Sequence, residues 1–199
     1  YMEDVQTAED DEDVDPPDFD SKCEALLPVL KGELPVHIHS HRADDIFTAM
    51  RICEEFSLKG VIVHGTQAHK ITPYIKQSGM PVIVGPILGT RSKPELAEAC
   101  RETAAVLHKN GIPVAICTDH PEMPQETLIL SAALAHHAGL QEEAALASVT
   151  SVAATICGVA DRIGTIETGK DADIVIFQTH PLKTIARPQA VFINGNKVR

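Results

Sequence analysis

The chain has 199 residues, 44 % of them apolar, enough to bury the core of one ordinary domain and a fraction of a second. Its formal charge of −11 is uneven: residues 1–20 hold ten acids and no Lys or Arg, leaving 18 acids against 17 bases elsewhere. A body so near neutrality offers no basic footprint for nucleic acid, and no stretch has the length of a membrane span or the form of a signal peptide.

Residues 1–21 read as an acidic loop or linker, solvated and broken by Pro16 and Pro17. Tyr1 precedes Met2, which leads us to expect sequence upstream. Asp20 or Ser21 can cap a short helix from Cys23 to Leu30, ended by Gly32. An alternation follows. Leu34–His39 is a β-like run, and Ala43–Phe56 has the spacing of a helix, with Ile46, Ala49, Met50 and Cys53 three and four apart. Gly60–His64 reads as a strand, Ala68–Gln77 as a helix closed by Gly79, and Pro81–Val84 as a strand. A loop over 85–93 leads to a helix from Pro94 to Lys109, stopped by Gly111. Pro113–Cys117 is a strand, and Thr127–Ala138 and Glu142–Cys157 are Ala- and Leu-rich helices.

Trp is absent and aromatics are few, so Val, Ile, Leu and Ala must build the core. Apolar strands alternating with helices predict an α/β fold with a parallel sheet. Four such units fit half of a (β/α)8 barrel, and the alternation alone fits a doubly wound sheet equally. No glycine pattern for nucleotide phosphates follows any strand. Beyond about residue 160 the texture changes to short β runs, Asp173–Phe177 and Ala190–Ile193, with Asn194 and Gly195 marking a hairpin. The five cysteines, at 23, 53, 100, 117 and 157, form no C-x-x-C pair, so we expect a reduced, cytoplasmic protein.

Three strands end in residues able to bind a metal: His39, in the run His37, His39, His41; His64; and Asp119, after Cys117. Each alone has a bland explanation, a core or surface imidazole or a helix-capping Asp. Together, at corresponding strand ends, two imidazoles and a carboxylate make a donor set suited to Zn²⁺, with Fe²⁺ or Mn²⁺ also compatible. In a parallel barrel such ends form the mouth of the active site.

Four motifs carry a resemblance. These are PVHIHSHRADDI at 35–46, VHGT at 63–66, CTDHP at 117–121 and RIGTIETGKDADIV at 162–175. They resemble the fifth-, sixth- and eighth-strand motifs and the barrel-exit segment of the amidohydrolase superfamily, more narrowly its imidazolonepropionase-like members. The likeness covers nearly all of residues 22–199. It implies the C-terminal half of a (β/α)8 (TIM) barrel, strands five to eight over 22–160, and part of a small β-sandwich domain over 161–199. It further implies a metal-dependent hydrolase of C–N bonds in amides or cyclic amides, with a deaminase or dipeptidase of the same superfamily as alternatives.

Position by position, His39 and His64 resemble metal ligands. Asp119 resembles the aspartate that binds metal and shuttles the proton of the attacking water, so catalysis falls to Asp119 and His64. His41, His120 and Arg91 become candidates for contacting substrate. His37 is expected on the strand interior, and His69, His108, His136, His137 and His180 on the surface or on helices. The superfamily's strand-one H-x-H pair and strand-four Lys or Glu have no counterpart upstream of His37, where Lys22 and Lys31 are the only lysines. His37 and His39 do not replace that pair, because RADDI follows them and only three strands remain. The expected partners are therefore a small-molecule substrate and the N-terminal half of the barrel, on the same or a second chain. A homo-oligomer is left open. Without that half the chain is expected to be inactive, and a non-catalytic half-barrel is the competing reading.

Overall fold

A computed structural model describes residues 1–183 and 186–199. Four parallel strands, β1 (Val36–Ser40), β2 (Gly60–His64), β3 (Val82–Val84) and β4 (Val114–Ile116), lie side by side in sequence order. A doubly wound sheet reverses its order at a switch point, whereas a barrel arc advances strand by strand. The observed order is that of an arc. A separate antiparallel sheet joins β5 (Ile174–Phe177), β6 (Pro188–Ile193) and β7 (Asn196–Lys197). Its hairpin turns through Asn194 and Gly195, at φ 49 and 76, which pairs Ile193 with Asn196.

The helices are α1 (Met2–Asp10), α2 (Ser21–Leu30), α3 (Ala43–Glu55), α4 (Thr72–Ser78), α5 (Thr103–Lys109), α6 (Leu128–His137), α7 (Glu142–Ala147) and α8 (Ser151–Ile156). Among the described residues none is long and apolar enough to cross a membrane. Asp20 caps α2, its carboxylate accepting from the backbone N–H groups of Lys22 and Cys23. Residues 2–10 depart from the expected loop. Glu3 and Asp4 occupy the first turn of α1, where carboxylates favour the positive end of a helix, yet α1 buries none of its residues.

Three expected helices are interrupted, each for a stated reason. The one expected over 68–77 is a 3-10 turn (Ala68–Lys70) followed by α4, because Pro73 lacks an N–H and biases Thr72 away from a continuing helix. Over 94–109, a 3-10 turn (Pro94–Leu96) precedes α5, and the Ala99 carbonyl accepts from the Arg91 guanidinium at 2.7 Å. Over 142–157 the break falls between α7 and α8, where the Ser148 carbonyl leaves the helical ladder to accept from the Ile116 N–H on the free edge of β4.

One face of the parallel sheet meets α3 to α6. Ile62 and Val82 pack there with Ile46, Ile75, Leu107 and Ala132, all fully buried. The opposite face holds a smaller cluster, Val61, Ala115 and Ile83 against Val152, Ala153 and Ile156 of α8. His37, at the start of β1, is exposed rather than enclosed.

Candidate metal centre

Strand pairing places Ser40, His64, Val84 and Ile116 in one row across the C-terminal ends of β1 to β4. Alternation would send His64 toward the helices with Val84 and Ile116, which join the main core. Instead the backbone turns left-handed at His64, φ 73, an uncommon conformation for a residue with a Cβ. Its imidazole meets His39 on the neighbouring strand, with His64 Nε2 3.1 Å from His39 Nδ1. Asp119 turns the same way beyond β4, at φ 55.

His41, one residue past the end of β1, completes a triangle. Ring centroids are 4.7 Å apart for His39 and His41, 4.4 Å for His39 and His64, and 4.6 Å for His41 and His64. One nitrogen from each ring lies within 4.8 Å of the other two. Nitrogens bound to one tetrahedral Zn²⁺ sit about 3.3 Å apart, so the His39–His64 pair is already near ligand spacing.

The surroundings fix which nitrogens are free. His64 Nδ1 lies 2.7 Å from the Gly85 carbonyl, which can only accept, so Nδ1 carries the proton and the neutral ring keeps its lone pair at Nε2. His41 Nδ1 shares a 2.8 Å hydrogen bond with Thr66 Oγ1. Gly85 is required there: at φ 149, an added Cβ would collide with the Cys117 carbonyl oxygen. Burial, then the neighbouring His64 and His39, push His41 down to about 4. Burial and His64 also hold His39 below its ordinary value. Burial pushes the nearby Cys117 thiol up to about 11, which keeps it protonated and a poor ligand.

The triangle opens into a cleft of about 470 Å³ that Asp119, Thr66 and residues 84–93 also line. Asp119 thus shares the cleft with His39, His41 and His64, but the group of mutually close donors among the described residues is the three imidazoles. Arg91 lines the cleft, whereas His120 is exposed and outside its lining. His69 does not stand alone on the surface: its Nδ1 lies 3.1 Å from Thr103 Oγ1 and 3.8 Å from Cys100 Sγ. His41, expected beside the ligands as a contact to substrate, joins the imidazole group itself, and Lys93, outside the expected site residues, also lines the cleft.

The model of the Amidohydrolase family matches residues 33–198. Amidohydrolase tasK of Hapsidospora irregularis is 30 % identical over 180 residues, 88 % of this chain and 18 % of that protein. A solved amidohydrolase from Thermotoga maritima MSB8 matches with a TM-score of 0.94 at 41 % identity, covering 100 % of this chain and 52 % of that one. An adenosine deaminase from Xanthomonas campestris, solved with bound zinc, shares the fold at a TM-score of 0.60 and 24 % identity, over 83 % of this chain and 45 % of that one. The chain therefore spans about half the length of these solved structures and under a fifth of the curated relative.

Proposed function

This chain belongs to the Amidohydrolase family, and on that premise we propose that its histidine cleft is part of a metal-dependent centre hydrolysing C–N bonds in amides or cyclic amides of small molecules. The observation that carries this reading is the convergence of His39, His41 and His64, with the lone pair of His64 aimed inward by the Gly85 carbonyl. β1 to β4 take the places of barrel strands five to eight. Further donors come from the part of the barrel that the Thermotoga relative has and this chain does not span.

His39 and His64 would hold the cation, Zn²⁺ before Fe²⁺ or Mn²⁺, with Asp119 as the carboxylate donor and His41 as a further imidazole beside them. When bound, the ion would supply Lewis acidity, polarising the scissile carbonyl and lowering the pKa of water toward neutrality. Asp119 takes the proton of the attacking water and returns it to the leaving nitrogen. His41 and His39, both lowered by burial and by the neighbouring His64, keep lone pairs available near pH 7. The Gly85 carbonyl holds His64 in one tautomer throughout.

In the complete enzyme, Asp119→Asn should cut turnover of amide and dipeptide substrates by about 10²–10⁴-fold while elemental analysis still finds metal. An unchanged rate removes the proton-shuttle role. Metal content that survives His39→Ala together with His64→Ala removes the centre.

A further inference from the structure

Resting on the assignment of this cleft to amide hydrolysis, we infer that Gln67 is a positioning residue, whose side-chain amide ties the histidine lip to the wall of the cleft formed by residues 96–100. Past the ends of β1 and β2 the chain stays paired. The Gly65 N–H donates to the Ser40 carbonyl and the Gln67 N–H to the His41 carbonyl, both at 2.9 Å. Between them, Thr66 Oγ1 holds the His41 ring. Residues 65–67 thus fix His41 by backbone and by ring, although it lies beyond its strand.

The Gln67 side chain extends this hold in two directions. A helix begins with N–H groups that have no partner within the helix. Arg42 precedes α3, and its guanidinium has donors but no acceptor to offer there. Gln67 supplies the acceptor from the exit of β2: its Oε1 accepts from the Ala43 N–H, at the first residue of α3, at 2.9 Å. The other end of the same amide donates, from Nε2 to Glu98 Oε1 at 3.2 Å. An amide carries one acceptor and one donor group on a single carbon, which is what joining an N–H to a carboxylate requires.

Glu98 stands between the 3-10 turn (Pro94–Leu96) and α5, and its neighbours Leu96, Ala99 and Cys100 line the cleft. No regular element spans this stretch, so side-chain bonds set where the wall stands. Lys70 pairs with the Glu98 carboxylate, and His69 Nδ1 meets Thr103 Oγ1 at 3.1 Å. The wall therefore leans on residues 67–70, which continue the segment that holds His41. Of these bonds, the Gln67 amide is the one that reaches both sides. A displaced wall changes how a substrate fits without altering the reacting groups, so the loss falls on KM before kcat.

Cys100 reports the state of the wall, because it is half-buried and lines the cleft. The probe is iodoacetamide on the complete, metal-free enzyme, with alkylation of Cys100 followed by peptide mass spectrometry against the exposed Cys157 in the same sample. Glu98→Ala should raise the Cys100 rate about threefold or more. Glu98→Gln removes the charge and the Lys70 pair but keeps an acceptor for the Gln67 amide, and should stay within about 1.5-fold of wild type. Gln67→Met should match Glu98→Ala, and the double variant should exceed neither, as expected of two residues sharing one bond. Glu98 is exposed and Gln67 half-buried, so these variants should fold. On amide and dipeptide substrates, Glu98→Ala and Gln67→Met should raise KM about threefold, with kcat changed by less than about twofold. A wild-type Cys100 rate in Glu98→Ala overturns the tie. So does an equal rise in Glu98→Gln, which would trace the effect to charge. The expected alkylation pattern in an enzyme that hydrolyses none of these amides keeps the tie and sinks the hydrolase reading, whereas hydrolysis without that pattern does the reverse.

Discussion

On one face of the parallel sheet, Ile62, Val82, Val114 and Ile116 sink among helices with 0, 0, 5 and 4 % of their surface exposed. On β1, Val36 and Ile38 pack toward the same core, while the residues one step along, His37 and His39, are exposed on the other face. The period of two in a strand thus divides one sequence between a stabilising row and a chemical one. The division fails at the C-terminal lip, where His64 leaves its row. That failure builds the site, because an imidazole left on the helix side would have no access to His39.

The largest expected effect tests the division itself. Ile62→Ala removes a fully buried side chain from the main core and should cost about 2–5 kcal/mol in urea unfolding, with metal binding by the folded fraction intact. His39→Ala removes an exposed side chain and should leave stability within about 0.5 kcal/mol while weakening Zn²⁺ binding at least tenfold. If the two variants exchange profiles, stability and chemistry are not separated by face.

A smaller effect concerns the lip. Gly85→Ala drives a Cβ into the Cys117 carbonyl and so displaces the Gly85 carbonyl that orients His64. Loss of such an orienting bond typically lowers metal affinity about 10–100-fold. Zn²⁺ affinity measured by competition with a chelator should fall in that range. Wild-type affinity in a folded Gly85→Ala protein would show that His64 needs no such support.

The rows were legible in the sequence, and the lip only in part. β2 has the expected limits, Gly60 to His64, because an apolar run between a glycine and a polar residue leaves little choice. The helix breaks near Ser148 and Ala99 were not legible. Their causes, a carbonyl given to the Ile116 N–H and another taken by Arg91, lie far away in sequence or in a loop without periodicity. His39 and His64 could be named as strand ends, and they do meet. His41 could not be promoted, because its closeness to His64 depends on a chain path beyond the strand. The left-handed turns at His64 and Asp119 are only weakly marked, since Asp and His enter that region more often than most residues but seldom do so.

The finest test of the comparison is pH, because the lip carries imidazoles whose protonation folding opposes. His41 is 6 % exposed and faces His39, His64 and Thr66, with Lys93 and Glu95 also acting on it. Folding lowers it from 6.5 to about 4, so above pH 6.5 it is neutral in both states and has no effect on stability. As pH falls from 6.5 toward 4, the unfolded chain takes up the proton and the folded one does not, so stability declines, by on the order of 3 kcal/mol when the window is fully crossed. Below about 4 both states are protonated and this loss levels off. His39 is lowered too and tilts the curve the same way. Urea midpoints of the metal-free protein should therefore drop between pH 6.5 and 4.5, and His41→Phe should flatten the drop. A His41→Phe curve parallel to the wild type would mean that the unfavourable protonation belongs to other groups, and that the lip is less distinct from the buried row than its geometry indicates.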